Sequence, residues 1–92
     1  MDDLVVADGV IVDDRGEDVR LIPPASADIV LLTGSGAETW RAITDRGRVS
    51  AAIDLLSTTF DVPRAQLARD VQPYLHDLES FGILVRTAGG AT

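Results

Sequence analysis

The sequence predicts an α+β domain of winged-helix type, in which a three-stranded antiparallel sheet precedes three helices. Three short β-type segments, separated by turn signals, come first in the 92 residues, and this spacing is typical of a small meander. After Leu32 the apolar residues recur every three or four positions, which is typical of amphipathic helices. The length allows one domain with one modest core. We assign that domain to residues 1–86 and expect the Gly- and Ala-rich residues 87–92 to be a disordered tail.

The first two predicted strands, residues 9–14 and residues 19–22, flank a turn with the sequence DRGED. Pro23 ends the second strand because proline has no N–H to donate to a strand ladder. The third strand is predicted at residues 27–32. Its apolar run at residues 29–32 does not alternate with polar residues, which predicts that both faces of this strand are covered.

The first two helices have clear sequence signals. Ser35 and Glu38 have the spacing of a capping box, and they predict a helix that places Trp40 in the core and ends near Gly47. A second helix is predicted after it. Its apolar stripe consists of Val49, Ala52, Ile53, Leu56 and Phe60.

The third helix is predicted from about residue 64 to residue 81. Pro73 lies within it and should bend it, because proline removes a helical hydrogen bond. Gly82 is a natural stop, and residues 83–85 form a short extended tail. The apolar sector of this helix consists of Leu67, Val71, Tyr74, Leu75, Leu78 and Phe81.

Composition excludes several classes of protein. The sequence has no cysteine, so disulfides, thiolate metal sites and cysteine nucleophiles are absent. No secretory signal or apolar run of membrane-spanning length is visible, and we expect a cytoplasmic protein without membrane contact. The net charge is −7, whereas proteins that bind nucleic acid usually carry a basic excess. We therefore expect no nucleic-acid partner.

No group of residues has the spacing of a catalytic or metal site. The segment GSG at residues 34–36 precedes a helix, but the chain contains no lysine and lacks the P-loop spacing. His76 is the only histidine and has no candidate triad or metal partners. The acids of the first turn lack the ligand spacing of a calcium loop. These acids are Asp13, Asp14, Glu17 and Asp18. We expect no enzymatic activity, metal or cofactor.

A DNA-binding winged-helix regulator is the alternative from another functional class. It would use a basic patch, for which the sequence offers five arginines. The predicted third helix also carries Asp70, Asp77 and Glu79, which argue against a basic recognition helix. The five arginines are Arg41, Arg46, Arg48, Arg64 and Arg69.

The sheet edge is the remaining functional feature. A three-stranded sheet has two edges, and an exposed edge is a template for a further strand. If the third strand is an edge beside the third helix, an extended peptide could pair with it. The chain's own tail could instead cover that edge, and an open edge also allows a strand-paired homodimer. Asp70 is either a solvated acid or a contact for an amide or arginine of a bound chain.

Three segments together resemble the PqqD-like family. The segment LTGSGA at residues 32–37, followed by Trp40, is similar to that family's motif LNPTGAxx(W/L). The segments DVQPYLHDL at residues 70–78 and GILV at residues 82–85 are similar to its DVxx(F/Y)LxxL and G(L/I)(L/V) motifs. Thr33 and Gly34 replace the family's Asn-Pro, and the connection at residues 22–27 is unusual. The resemblance covers about residues 8–86.

The resemblance implies a recognition element for ribosomally synthesised, post-translationally modified peptides. Such domains bind the leader of a precursor peptide by strand addition and present it to a modifying enzyme or leader protease. Free-standing members serve PQQ or lasso-peptide biosynthesis, and the lasso type is favoured here. Carried onto this chain, the resemblance implies a binding strand and a helix wall. The strand is Asp28, Ile29, Val30, Leu31 and Leu32, and the wall is Leu67, Asp70, Val71, Tyr74 and Leu75.

Overall fold

The computed structural model describes residues 3–25 and 28–87. Its strands are β1 (Asp3–Val6), β2 (Ile11–Asp14), β3 (Asp18–Ile22), β4 (Val30–Thr33) and β5 (Leu84–Thr87). Its helices are α1 (Gly34–Arg46), α2 (Val49–Thr59), α3 (Arg64–Asp70) and α4 (Gln72–Ser80). The predicted α+β class, with an antiparallel sheet followed by helices, is confirmed. Of the predicted tail, Thr87 ends β5 and residues 88–92 lie outside the described residues.

The three-stranded sheet has the order β2–β3–β4, with antiparallel pairing throughout. Leu21 lies between Val12 and Val30, and Val19 lies between Asp14 and Leu32. Val19, Leu21 and Leu32 are buried, so this face of the sheet packs against the helices. The opposite face is called the outer face below.

A second sheet, which the sequence did not predict, consists of β1 and β5 paired antiparallel. The extended tail predicted at residues 83–85 therefore belongs largely to β5. β1 is four residues long and its sequence, DLVV, does not alternate between polar and apolar residues, so no pattern in it indicates a strand. Residues 84–87 therefore pair with β1 and not with either edge of the three-stranded sheet.

The third predicted strand starts later than expected. β4 begins at Val30, so Asp28 and Ile29 precede it, and residues 26–27 lie outside the described residues. Pro23 follows the end of β3 and cannot donate to the ladder, and Asp28 is a poor strand residue. The expected cover on both faces is also wrong, because Ile29 and Leu31 are exposed.

α1 begins two residues earlier than the capping-box spacing suggested. Thr33 is the N-cap residue, with φ −130° and ψ 160°, and its side chain makes no capping hydrogen bond. Ser35 is already inside the helix, where its carbonyl accepts a hydrogen bond from Thr39 Oγ1 at 2.7 Å. A residue with helical neighbours on both sides cannot adopt the extended N-cap conformation, so the Ser35 cap was wrong.

The predicted third helix is two helices, which raises the number of helices to four. α3 ends at Asp70 and α4 begins at Gln72, with Val71 between them. Pro73 lies in the first turn of α4. Backbone N–H groups in a first turn have no acceptor within the helix, so a proline there removes no hydrogen bond. The proline predicted to bend one helix instead begins a second one.

The core joins the inner face of the sheet to buried residues of α1, α2 and α4, and partly buried residues of α3 pack against it. Trp40 is fully buried, as predicted, whereas Phe60 and Phe81 are exposed because each caps the C-terminal end of a helix. Within the described residues, no helix is long and apolar enough to cross a membrane. The largest fully buried side chains are Trp40, Leu21, Ile43, Leu78, Ile83, Leu84 and Val19.

Candidate functional site

The free edge of β4 is the first component of the candidate site. β4 pairs with β3 on one side, and on its other side no strand of residues 3–25 or 28–87 pairs with it. Residues 84–87, which could have covered this edge, pair with β1 instead. The backbone N–H and C=O groups of alternate β4 residues therefore point away from the sheet and can accept a further strand.

The helix wall consists of α3 and the start of α4. Leu67, Val71 and Tyr74 are partly buried and pack against the core. Leu75, predicted for the same wall, is buried, as is Leu32 in β4. These two side chains support the site from within the core, while the partly buried ones keep surface that another chain could contact.

Tyr74 joins the helix wall to the residues that follow β4. Its hydroxyl donates a hydrogen bond of 2.9 Å to the carbonyl oxygen of Gly36 in the first turn of α1. Burial raises the pKa of the Tyr74 hydroxyl well above its usual range, so it stays a neutral donor. Because α1 directly continues β4, this bond fixes α4 against the end of the candidate binding strand.

The acidic members of the candidate set lie at its rim. Asp70, at the end of α3, is exposed, and within the described part of the chain its carboxylate has no ion pair or side-chain hydrogen bond. Asp28 and Ile29, on the approach to β4, are exposed as well. The geometry therefore allows Asp70 to contact a cationic or amide group of a bound chain.

The arginines of the alternative DNA patch are mostly neutralised within the chain. Arg41 pairs with Asp14 at 2.9 Å, Arg46 with Asp45 at 3.7 Å and Arg48 with Asp3 at 3.9 Å. Arg64 pairs with Asp54 through its Nε. A phosphate backbone would have to compete with these carboxylates, so residues 3–25 and 28–87 offer no basic surface of the kind that DNA requires.

Two acids of the β2–β3 hairpin, Asp13 and Asp14, have structural roles. Arg41 donates to both carboxylate oxygens of Asp14, at 2.9 Å each, and to the carbonyl of Gly16 at 2.7 Å. These bonds from Arg41, together with the Gly16 amide, hold the pKa of Asp14 at about 2. Asp13 pairs with Arg15 at 2.8 Å. Both carboxylates thus stabilise the hairpin.

The other candidates do not assemble into a chemical site. Among the residues that the structure describes, no three histidine or acidic side chains are grouped so that they could hold a metal ion. His76 is exposed and borders a small cleft of about 220 Å³ that Gln72 and Glu79 also line. The segment at residues 34–36 forms the first turn of α1.

Another concave surface lies away from β4. It has a volume of about 690 Å³ and is lined by α1 and α2, including Glu38, Arg41 and Leu55. The sequence did not indicate it, because its lining mixes charged, polar and apolar side chains without a motif. A peptide that adds as a strand to the β4 edge binds along a shallow surface, so the candidate site does not require a deep cavity.

Comparison with known proteins gave one family and one similar structure. Residues 18–84 match the family described as coenzyme PQQ synthesis protein D (PqqD). A solved structure described as TbiB1 in complex with the TbiA(beta) leader peptide has a TM-score of 0.75 and 20% sequence identity. That similarity covers 87% of this chain and 93% of the other, and it establishes the shared fold. A search of curated proteins found no match.

Proposed function

The chain belongs to the PqqD family, and from this premise we propose that it binds the leader segment of a ribosomally synthesised precursor peptide. The bound leader is delivered to a modifying enzyme or leader protease, and the chain performs no chemistry of its own. The observation that supports the proposal is the edge of β4, which has no strand partner among the described residues and leads into α1, to which Tyr74 of α4 is hydrogen-bonded.

Strand addition supplies the affinity in this arrangement. Every second residue of the leader directs its N–H and C=O at β4 and extends the antiparallel sheet by one strand. The sheet already exists, so the cost of ordering falls mainly on the peptide. A dissociation constant on the order of 1 µM is expected for such a preformed site.

Side-chain contacts supply the selectivity. The leader residues that point inward meet the partly buried surfaces of Leu67, Val71 and Tyr74, which favour apolar or aromatic anchors. Asp70 at the rim favours a lysine, an arginine or a free amide at the neighbouring position of the leader. The site thus selects a short extended segment of the leader that has apolar anchors and one polar contact.

The similar structure supports this proposal, because TbiB1 is described in complex with a leader peptide. The resemblance noted in the sequence favours lasso-peptide over PQQ biosynthesis. The proposed partners are therefore a lasso-type precursor and the protease that removes its leader.

The test uses the leader encoded beside this protein, fluorescently labelled, and follows its anisotropy on titration with the purified chain. Two further leaders carry backbone N-methyl groups on alternate residues of the paired segment, one on the even positions and one on the odd. Strand addition predicts that one set abolishes binding, because it removes the N–H groups aimed at β4. The other set should bind within a few-fold of the unmodified leader.

The two methylated peptides are matched controls for each other, and the protein remains unaltered. Equal binding by both methylated peptides would show that the backbone of the leader does not pair with the sheet. A folded protein that fails to bind the unmodified leader at tens of micromolar would refute leader capture itself.

A further inference from the structure

Asp18 carries a carboxylate oxygen that the described part of the chain leaves without a hydrogen bond. Its Oδ1 is buried, and no donor among residues 3–25 and 28–87 bonds to it. Arg20 Nε lies at 4.0 Å, which exceeds the length of a hydrogen bond. A buried polar atom costs folding free energy unless a donor reaches it. The Asp18 carboxylate is therefore suited to a donor from another molecule.

The strand register places Asp18 next to the leader edge. Asp18 is paired with Thr33 of β4, and both side chains lie on the outer face, because the neighbouring pair, Val19 and Leu32, is buried on the inner face. The Asp18 side chain is 26% exposed, and rotation about its χ2 exchanges the two oxygens. The carboxylate is therefore accessible from the outer face.

The leader residue that pairs with Thr33 shares this face, because paired residues of an antiparallel sheet point to the same side. It lies two strands from Asp18, which is about 10 Å at the usual spacing of neighbouring strands. Thr33, which lies between them, is small and exposed, and its side chain makes no capping hydrogen bond. A lysine or arginine of the leader is long enough to cross Thr33 and place its donors at Asp18.

Leu31 offers an apolar surface to the stem of such a side chain. It lies two residues before Thr33 on the same face of β4 and is 55% exposed. Lysine and arginine lay their methylene stems along apolar surface while their charged ends meet polar partners. Leu31 and Asp18 together therefore favour a long cationic side chain over a short or uncharged one.

We propose that Asp18 determines leader specificity by binding a lysine or arginine at the leader position that pairs with Thr33. This inference rests on the proposed leader binding. It adds a contact on the outer face to the one expected at Asp70, which lies on the side of the helices. The leader cation donates a charge-assisted hydrogen bond to the carboxylate. A leader with an uncharged residue at this position binds more weakly, because the buried oxygen then stays without a partner.

The test is a double-mutant cycle between the protein and the leader encoded beside it. Each lysine of the leader is replaced in turn by norleucine and each arginine by citrulline, which keep the length of the side chain and remove its charge. Anisotropy measures the binding of every peptide to wild type, Asp18→Asn and Asp13→Asn. One replacement should weaken binding to wild type by about fivefold or more. The same replacement should change binding to Asp18→Asn by less than about twofold.

Asp13→Asn is the matched control. Asp13 pairs with Arg20 across the sheet and lies on the same face as Asp18, one strand further from the leader. The substitution therefore removes the same charge from the same face without touching the proposed contact. The decisive leader replacement should weaken binding to Asp13→Asn as much as it weakens binding to wild type.

The outcomes separate the two proposals. Equal effects of every replacement on wild type and Asp18→Asn would overturn the Asp18 contact, while leader capture would stand. A neighbouring leader that binds and contains no lysine or arginine would do the same. Equal effects together with a lower Tm of free Asp18→Asn, reproduced by Arg20→Gln, would assign the carboxylate to Arg20 instead. Failure of the unmodified leader to bind wild type would refute leader capture itself.

Discussion

Asp14 and Arg41 tie the β2–β3 hairpin to α1 through a forked contact. Two parallel hydrogen bonds of 2.9 Å join the guanidinium to the carboxylate, and the amide of Gly16 donates to the same carboxylate at 2.9 Å. Such forked, charge-assisted pairs are the strongest of the surface ion pairs. This contact therefore fixes the end of β2 and the turn after it against α1.

The Asp14 contact predicts a specific pH dependence of stability. The pKa of Asp14 lies at about 2 in the folded chain, below the ordinary value of 3.8, so its contribution is complete above pH 3.8 and is lost as the pH falls towards 2. Asp14→Asn should therefore have a lower Tm than wild type at pH 7, and the gap should close near pH 2.

Thermal unfolding followed by circular dichroism between pH 2 and pH 7 measures that gap. Asp45→Asn removes a more exposed carboxylate, at 72% side-chain exposure, and controls for the change in net charge. A Tm gap for Asp14→Asn that persists at pH 2 would contradict the prediction.

The burial of a single residue was predictable from the sequence where it depended only on the spacing of apolar residues along one helix. Trp40 is buried as its spacing predicted, but Phe60 and Phe81 are exposed, because each ends its helix and the stripe does not continue beyond it. Tyr74 was placed on the apolar sector, but its bond to Gly36 was not predictable, since the two residues are 38 positions apart. Such pairs depend on how the helices pack.

The C-terminal end of α1 is defined by backbone conformation. Gly47 has φ 84°, and its amide donates to the carbonyl of Ile43 at 2.8 Å. A Cβ at Gly47 would meet no atom within 4 Å, so any cost of a side chain there is the cost of the left-handed conformation.

Gly47→Ala should therefore lower the free energy of unfolding by about 1 kcal/mol. Gly36→Ala in the same helix is the matched control, because its Cβ would lie 3.5 Å from Tyr74 Cε2, an ordinary contact, and Gly36 has no positive φ. The control should be neutral or stabilising by about 0.5 kcal/mol. Urea denaturation compares the two, and equal destabilisation by both would show that packing, and not backbone strain, governs this helix.

Elements with strong local signals were predictable, and those that depend on distant partners were not. A turn sequence predicted the β2–β3 hairpin. The glycine after α1 predicted the end of that helix, and an apolar stripe predicted α2. β1 was missed because it is short and is a strand only through its pairing with β5. The break between α3 and α4 was predicted as a bend, since the position of Pro73 in a first turn depends on where α3 ends.

At the scale of the whole molecule, the pairing of β1 with β5 leaves both edges of the three-stranded sheet without a strand from the described residues. The sequence led to a candidate edge but left open whether the tail covers it. The tail pairs with β1, so both β2 and β4 are edges without a strand partner among the described residues. The two edges differ in their surroundings, because β4 leads directly into α1, to which Tyr74 of α4 is bonded. All of β2 is exposed.

Amide hydrogen exchange measured by NMR, with and without saturating leader, distinguishes these two edges in one experiment. Edge amides exchange through local fluctuations, so pairing with the leader should slow the outward-facing amides of β4 by about tenfold or more. The outward-facing amides of β2 belong to the same sheet and should exchange at an unchanged rate, which makes them the internal control. Protection at β2 with none at β4 would place the leader on the opposite edge, away from Tyr74 and the helix wall. In that case the selectivity would have to come from the exposed side chains of β2, because no helix wall would line the bound peptide.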